Sequence, residues 1–292
     1  MNRKVKKAVS KIGLYIVLCV VAFIFVLPFY WSVLISFRQD EYILRLPLIW
    51  IPVHNTFEHY VTVFESVPFF RYLGNTVFVT VMGLVMNLFF GTLAAYAFAK
   101  IDFAGNKIIF KIMLSSMMIP GVVTLTPLFL VLSKIPLAGG NNILGQGGIG
   151  LINTHWAIIL PGAIGVYGIF FMRQFFLNLS NDLGEAARLD GASEFRIFST
   201  IYVPLVLPAM MTLGIFCFQS GWNNFMWPNI VLFDSNKYVL TVALSSFKYS
   251  SNGTDYGPMM AFSILMSLPI IILFGFAQKY FISGVALGGV KE

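Results

Sequence analysis

Residues 71–99, RYLGNTVFVTVMGLVMNLFFGTLAAYAFA, form an apolar segment whose only charged residue is Arg71 at its first position. A helix of about 20 mostly apolar residues is long enough to cross the hydrocarbon core of a bilayer. This segment therefore predicts a transmembrane helix, with the long side chain of Arg71 reaching the membrane surface.

Five further segments are equally apolar and carry no charge near their middle. They lie at 12–36, 108–133, 156–176, 206–230 and 258–281. Of the 292 residues 58% are apolar and 11% are charged, whereas a soluble domain has about 45–50% apolar and about 25% charged residues. So few charges cannot cover a water-soluble protein, which excludes a soluble enzyme, a disordered chain and a disulfide scaffold. We predict an all-α integral membrane protein with six transmembrane helices in a single domain, residues 1–292.

The basic residues predict which side of the membrane each loop faces. Most of the 19 lysines and arginines lie before the first span, after the last span, and in the loops that follow the second and fourth spans. Such residues favour the cytoplasmic side. The 12 acidic residues divide evenly between the two sides, so the net charge of +7 falls inside. Both termini are therefore predicted to be cytoplasmic, and no nucleic-acid partner is needed to explain the charge.

Three absences in the sequence restrict the function. The chain has no G-x-x-x-x-G-K-[ST] loop, so nucleotide hydrolysis by that route is excluded. No charged residue lies in the middle of a span, where ion-coupled carriers usually have one. His54, His59 and His155 lack a metal-ligand spacing, and Cys19 and Cys217 lie in apolar segments as packing residues. We predict no catalytic site, metal or cofactor in this chain, so active transport would draw its energy from a partner.

One face of the second span carries small and polar residues. Thr76, Thr80, Gly83, Asn87 and Gly91 recur every three or four residues, so they share one side of a helix. Small residues let another helix approach closely in lipid. Packing is the first explanation of this face.

The fifth span combines amides with aromatic rings. Thr212, Gln219 and Asn223 share a helical face, and a buried amide needs a partner or a water-filled cavity. Such residues either line a translocation route or shape the packing of the helices, and the sequence leaves both open. The candidates for the route are Asn87, Gln219, Trp222, Asn223 and Asn224.

The loop between the fourth and fifth spans, residues 180–205, reads SNDLGEAARLDGASEFRIFSTIYVPL. Asp182, followed three residues later by Glu185, predicts a capping box that starts a helix of about two turns. Glu185 and Arg188 have the spacing of an i,i+3 ion pair. Gly191 is placed to end the helix.

The second half of this loop predicts another short helix. Ser193 is placed to cap it, it extends to Thr200, and Pro204 marks the start of the next span. The small pair Ala186 and Ala187 would allow a close fit against another protein. A connector needs only a few polar residues, so we favour a rigid docking element over a plain connection.

The same loop resembles the E-A-A-x3-G-x9-I-x-L-P loop of ABC-importer permeases. Glu185–Ala187, Gly191 and Ile201–Pro204 match that pattern, with Val203 where leucine is usual. Several matched features at fixed spacing are far more specific than a lone Glu-Ala-Ala.

Two further segments resemble sugar-importer permeases. Gly221–Pro228, GWNNFMWP, is similar to their G-W-N-x-F-x-x-P stretch. Residues 278–292 are similar to their Q-R-Y-F-V-x-G-L-T-x-G-A-V-K-G tail, with Glu292 in place of a common glycine. With six spans, the chain resembles the shorter, MalG-type permeases of the maltose and multiple-sugar family.

This resemblance implies a type I ABC-importer permease fold and a set of partners. Two related permeases would surround one pathway, and two ATPase subunits would bind ATP and Mg²⁺. An extracytoplasmic solute-binding protein would deliver a sugar or oligosaccharide. The implied location is the cytoplasmic (inner) membrane of a prokaryote.

The resemblance also implies roles for individual residues. The 185–191 helix would couple to an ATPase subunit, the tail would contact the ATPases through Gly288 and Gly289, and the outward loop 231–257, with a turn at 250–255, would reach the binding protein. The implied ATPase-coupling residues are Glu185, Ala186, Ala187, Asp190, Gly191 and Pro204.

Two alternatives to a sugar importer stay open at this point. A permease for a non-sugar solute could share the Glu-Ala-Ala loop. A stand-alone facilitator would explain the spans but leave the loop and tail without a purpose. A membrane enzyme would need acids, histidines or a nucleophile–base pair at membrane depth, and the sequence has none.

Overall fold

The computed structural model describes the backbone of residues 3–248 and 254–289 and the side chains of residues 11–248 and 254–276. Within these ranges the regular structure is helical. An isolated antiparallel β-bridge joins Arg38 and Asn55. The all-α prediction is confirmed. The α-helices are α1 Arg3–Ser36, α2 Asp40–Ile43, α3 Glu58–Ser66, α4 Phe69–Lys100, α5 Asn106–Ser116, α6 Gly121–Ser133, α7 Trp156–Gly162, α8 Val166–Leu177, α9 Asp182–Leu189, α10 Glu194–Ile197, α11 Val203–Trp222, α12 Met226–Val231, α13 Leu240–Lys248 and α14 Tyr256–Gly289.

Five helical runs in the described part of the chain are long and apolar enough to cross a membrane. They are Lys11–Ser36, Phe69–Lys100, Trp156–Leu177, Glu194–Trp222 and Tyr256–Phe276. A sixth span results if α5 and α6 are counted together.

The predicted third span, 108–133, differs from the structure because it is not one straight helix. Helices α5 and α6 meet at an angle of 105°. Pro120 has an extended backbone with ψ of 131° and precedes the first residue of α6. Proline supplies no N–H and disfavours a helical conformation in the residue before it. The bend therefore follows from a residue at the middle of the segment.

Residues 1–69 and 243–269 form one compact unit. Val63, Phe69, Phe247 and Phe262 are buried in it, and the rings of Phe69 and Phe262 meet edge to face with centroids 5.4 Å apart. The side chains of residues 11–26 in α1 are exposed. An apolar helix with this much exposed surface suits contact with lipid or another subunit.

Residues 70–242 and 270–292 form the other unit, which has two clusters of buried apolar side chains. One surrounds Trp227 and Val231. The other surrounds Tyr96, Phe176 and Tyr202 and includes Ile197 from α10. The second cluster therefore joins the 180–205 loop to the membrane helices of the same unit.

The fifth span begins earlier and ends earlier than the predicted 206–230. It runs from Glu194 to Trp222, with a π-helical turn at Phe198–Tyr202 that leads into α11. Pro204 lacks a backbone donor but lies in the first turn of α11, where that donor would have no partner within an α-helix. Pro204 therefore lies within a continuous helical run, and does not separate a short helix from the span.

Candidate functional site

Helix α9 begins one residue before the position that the sequence predicted. Its N-cap is Asn181, whose side chain makes no capping hydrogen bond. Asp182 instead accepts a hydrogen bond from the Ser180 hydroxyl at 2.9 Å, and its N–H donates to Ser180 Oγ at 3.1 Å. The capping-box prediction for Asp182 and Glu185 is therefore wrong, because Ser180 provides a closer partner.

The end of α9 is as predicted. Gly191 has φ of +79°, its N–H donates to Arg188 O at 3.0 Å, and the N–H of Ala192 donates to Ala187 O at 3.0 Å. This pair of bonds is the Schellman arrangement, which needs a left-handed residue at the position of Gly191. Glycine adopts that conformation without steric cost.

The predicted ion pair between Glu185 and Arg188 is replaced by another one. Arg188 donates to the two carboxylate oxygens of Glu194 at 2.5 and 3.2 Å, and this hydrogen bonding raises the pKa of Arg188. Tyr96 of α4 donates to the same carboxylate at 2.9 Å. The turn at Gly191 brings Glu194 back over α9, so a partner six residues away outcompetes the one three residues away.

Further polar contacts fix the start of the 180–205 loop. Lys100 donates to Leu179 O and to Asn181 Oδ1, both at 2.6 Å, and its ammonium lies 5.4 Å from the centroid of the Tyr202 ring. Tyr202 donates to Ser180 O at 3.1 Å. The loop is thus attached to the end of α4 and to the π-turn before α11.

The second helix of the loop starts where it was predicted. Ser193 Oγ accepts a hydrogen bond from the N–H of Arg196 at 3.4 Å. Helix α10 then continues through the π-turn into α11 instead of stopping at Thr200.

The outer face of the loop is left uncovered. Of the predicted ATPase-coupling residues, Ala187 is half-buried against the second apolar cluster and the others are exposed. Leu189 is 89% exposed and Phe195 is 61% exposed. The exposure of these two apolar side chains was not predicted. The signal that could have revealed it is an apolar residue on the polar side of a short helix. The exposed predicted residues are Glu185, Ala186, Asp190, Gly191 and Pro204.

A second feature lies among the membrane helices of the same unit. A cavity of about 530 Å³ is bounded by α4, by the break between α7 and α8, and by α11. Asn87 donates to Gly162 O at 2.8 Å, and its Oδ1 lies 3.4 Å from Cys217 Sγ. The polar face of α4 is thus directed toward other helices, as the spacing of its residues indicated.

The five candidate route residues separate in the structure. Asn87 and Asn224 line the cavity, whereas Gln219, Trp222 and Asn223 do not. Trp222 is buried and stacks on Phe218 with centroids 5.4 Å apart. Gln219 and Asn223 are exposed, and Asn223 donates to Gln219 O at 3.0 Å.

The predicted contacts of the C-terminal tail and of the turn at 250–255 lie largely outside the described residues. The backbone of α14 extends to Gly289, but the side-chain environment of Gly288 and Gly289 lies outside the described residues. The predicted turn at 250–255 also lies mostly outside them. Among the described residues, no group of three or more His, Cys, Asp or Glu could hold a metal ion.

Comparison with known proteins places the chain in a family. Residues 87–286 match the family described as "Binding-protein-dependent transport system inner membrane component". The chain belongs to this family. It is therefore a multi-pass membrane permease of the ABC-importer type.

Two relatives illustrate the range of this family. The arabinooligosaccharides transport system permease protein AraQ of Halalkalibacterium halodurans is 34% identical over 294 residues, which cover 100% of both chains. The polygalacturonan/rhamnogalacturonan transport system permease protein YtcP of Bacillus subtilis is 30% identical over 292 residues, with coverage of 95% and 96%.

A solved structure confirms the fold. The crystal structure of a bacterial ABC transporter involved in the import of the acidic polysaccharide alginate contains a chain that superposes with a TM-score of 0.80. The match covers 96% of this chain and 99% of that chain at 24% identity. The predicted type I ABC-importer permease fold is therefore confirmed.

Proposed function

We propose that this chain is one permease subunit of an ABC importer that takes up a sugar or oligosaccharide. In this proposal it lies in the inner membrane of a prokaryote, with both termini and the 180–205 loop in the cytoplasm, and pairs with a second permease. A solute-binding protein delivers the sugar from the other side. The family match and the sugar-transport names of its relatives support this function.

The observation that carries the ATPase-docking role is the two-sided character of the 180–205 loop. Its inner side is attached by Glu194, Lys100 and Tyr202 to the membrane helices. Its outer side exposes Glu185 and Leu189. A loop that only connected two spans would need neither a saturated inner side nor an exposed apolar tip.

Attachment on the inner side has a mechanical consequence. Two partner ATPases, which would bind ATP and Mg²⁺, would move the docked helices as they close. Hydrogen bonds of Glu194, Lys100 and Tyr202 hold the loop around α9 to α4 and to the π-turn before α11. Displacement of α9 therefore passes to those spans instead of being absorbed by the loop. Alternating access by rigid-body motion needs such a stiff connection between the driving subunit and the spans.

The translocation route in this proposal passes along the cavity. Asn87 and Asn224 line it from α4 and from the residues after α11. Gln219 and Asn223 are assigned to the surface that the second permease would cover, because both are exposed here. Trp222 is buried against Phe218 and is assigned to helix packing.

The test is ATP hydrolysis by the complete assembly in nanodiscs, with and without sugar-loaded binding protein. We expect stimulation by loaded binding protein in the wild type and its loss in Glu185→Ala. Glu65→Ala removes an exposed glutamate from α3 and serves as the matched control. Uptake of sugar by the chain alone, with no ATPase bound and Glu185→Ala without effect, would contradict the proposal and favour a facilitator.

A further inference from the structure

The cavity beside α4 has the size of a ligand site and an uncharged lining. Its volume of about 530 Å³ lies within the range of about 300–1,000 Å³ that is usual for small-molecule sites. Among the described residues that line it, none carries a charge. The polar side chains include Thr80, Asn87, Ser220 and Asn224.

Thr80 is a buried residue of this lining whose hydroxyl lacks a partner among the described residues. Its side chain is 2% exposed, and its Oγ1 has no hydrogen-bonding partner among the described residues. Thr76, one turn earlier and equally buried, donates to Tyr72 O at 2.7 Å and accepts from the N–H of Leu240 at 2.9 Å. A buried hydroxyl without a partner is unfavourable. Because Thr80 lines the cavity, a ligand bound there is one way to supply the missing hydrogen bond.

Glycines leave room around two polar side chains of the cavity. A Cβ at Gly165 would lie 2.7 Å from Asn87 Nδ2, and one at Gly168 would lie 2.9 Å from Asn87 Oδ1. A Cβ at Gly221 would stand 3.4 Å from Thr80 Cγ2 and 3.7 Å from its Oγ1. Side chains at these three positions would crowd Asn87 and Thr80, which line the cavity.

We propose that this cavity is a subsite for an uncharged sugar unit, with Thr80 and Asn87 as hydrogen-bonding residues. This inference rests on the proposed function. Sugar hydroxyls both donate and accept, as the threonine hydroxyl and the asparagine amide do. The carboxylate of a uronic acid would lose its water here without a cation in the described lining to replace it. The cavity therefore selects a neutral sugar over the acidic sugars that some relatives carry.

The test is equilibrium binding of radiolabelled sugars to the complete assembly in nanodiscs, held with a non-hydrolysable ATP analogue. The neutral probes are arabinotriose, lactose and diacetylchitobiose, and the acidic probe is trigalacturonate. Thr80→Val removes the hydroxyl at almost constant volume. Thr92→Val is the matched control, because Thr92 Oγ1 is also buried without a partner but does not line the cavity.

We expect saturable binding of at least one neutral probe and none of trigalacturonate. Thr80→Val should raise the Kd of that probe about fivefold, the effect of one hydrogen bond between neutral groups, and Thr92→Val should leave it within about twofold. Binding of trigalacturonate, binding of no neutral probe, or equal effects of the two variants would overturn the inference. ATPase stimulation that still depends on Glu185 in those cases would show that the proposed function stands without it.

Discussion

The 180–205 loop and the cavity beside α4 differ in how far their polar side chains are paired. In the loop, the carboxylate of Glu194 accepts hydrogen bonds from both Arg188 and Tyr96. In the cavity, Thr80 has a buried hydroxyl without a partner. A saturated network makes a part rigid, whereas a polar group without a partner beside a cavity leaves a hydrogen bond that a ligand bound there can make. The comparison supports the proposed roles, in which the loop transmits force and the cavity contacts the ligand.

The largest effect should come from Gly191, where the loop depends on one backbone conformation. Gly191→Pro requires φ near −65° where the chain has +79°, so we expect at least a tenfold loss of ATPase stimulation by loaded binding protein. Gly191→Asn is the control, because asparagine tolerates the left-handed region. Equal activity of the two variants would mean that the ordered end of α9 does not matter for coupling.

A smaller effect is expected where the cavity is closely packed. Gly168→Ala places a Cβ 2.9 Å from Asn87 Oδ1 and 3.4 Å from a methyl of Leu213. Such overpacking costs about 1–3 kcal/mol, which should lower the melting temperature of the purified assembly. Gly162→Ala meets nothing within 4 Å and should not lower it. A fall of the same size in both variants would contradict the packing described for this wall.

The smallest effect separates two glutamates of the loop. Glu194→Gln weakens the bonds to Arg188 and Tyr96, and because these side chains are partly exposed the expected loss of stability is only about 0.5–1 kcal/mol. Glu185→Gln should be neutral in stability, because Arg188 pairs with Glu194. Melting temperatures of the two variants measure the difference. Destabilisation by Glu185→Gln alone would show that Arg188 pairs with Glu185, as the i,i+3 spacing predicted.

Local patterns were enough to predict the all-helical fold, the position of Gly191 and the cap at Ser193. Each of these depends on residues within a few positions of one another, so the sequence contains the signal. The same holds for the polar face of α4, since helical periodicity alone brings Thr76, Thr80 and Asn87 to one side.

The features that were missed depend on distant contacts or on competition between neighbours. Arg188 pairs with Glu194 and not with Glu185, because the turn at Gly191 brings Glu194 back over α9. The unpaired hydroxyl of Thr80 is visible only when the neighbouring helices are in place. The bend at Pro120 had a local signal, yet the apolar composition around it favoured one continuous span.

The most direct test of the docking role is photo-crosslinking in the complete assembly. A photoreactive phenylalanine analogue at position 189, where Leu189 is 89% exposed, should crosslink to an ATPase subunit. The same analogue at position 234, in the loop predicted to face outward, should crosslink to the binding protein or to nothing. Crosslinks to the ATPase from position 234, or none from position 189, would contradict both the orientation and the coupling role of the 180–205 loop.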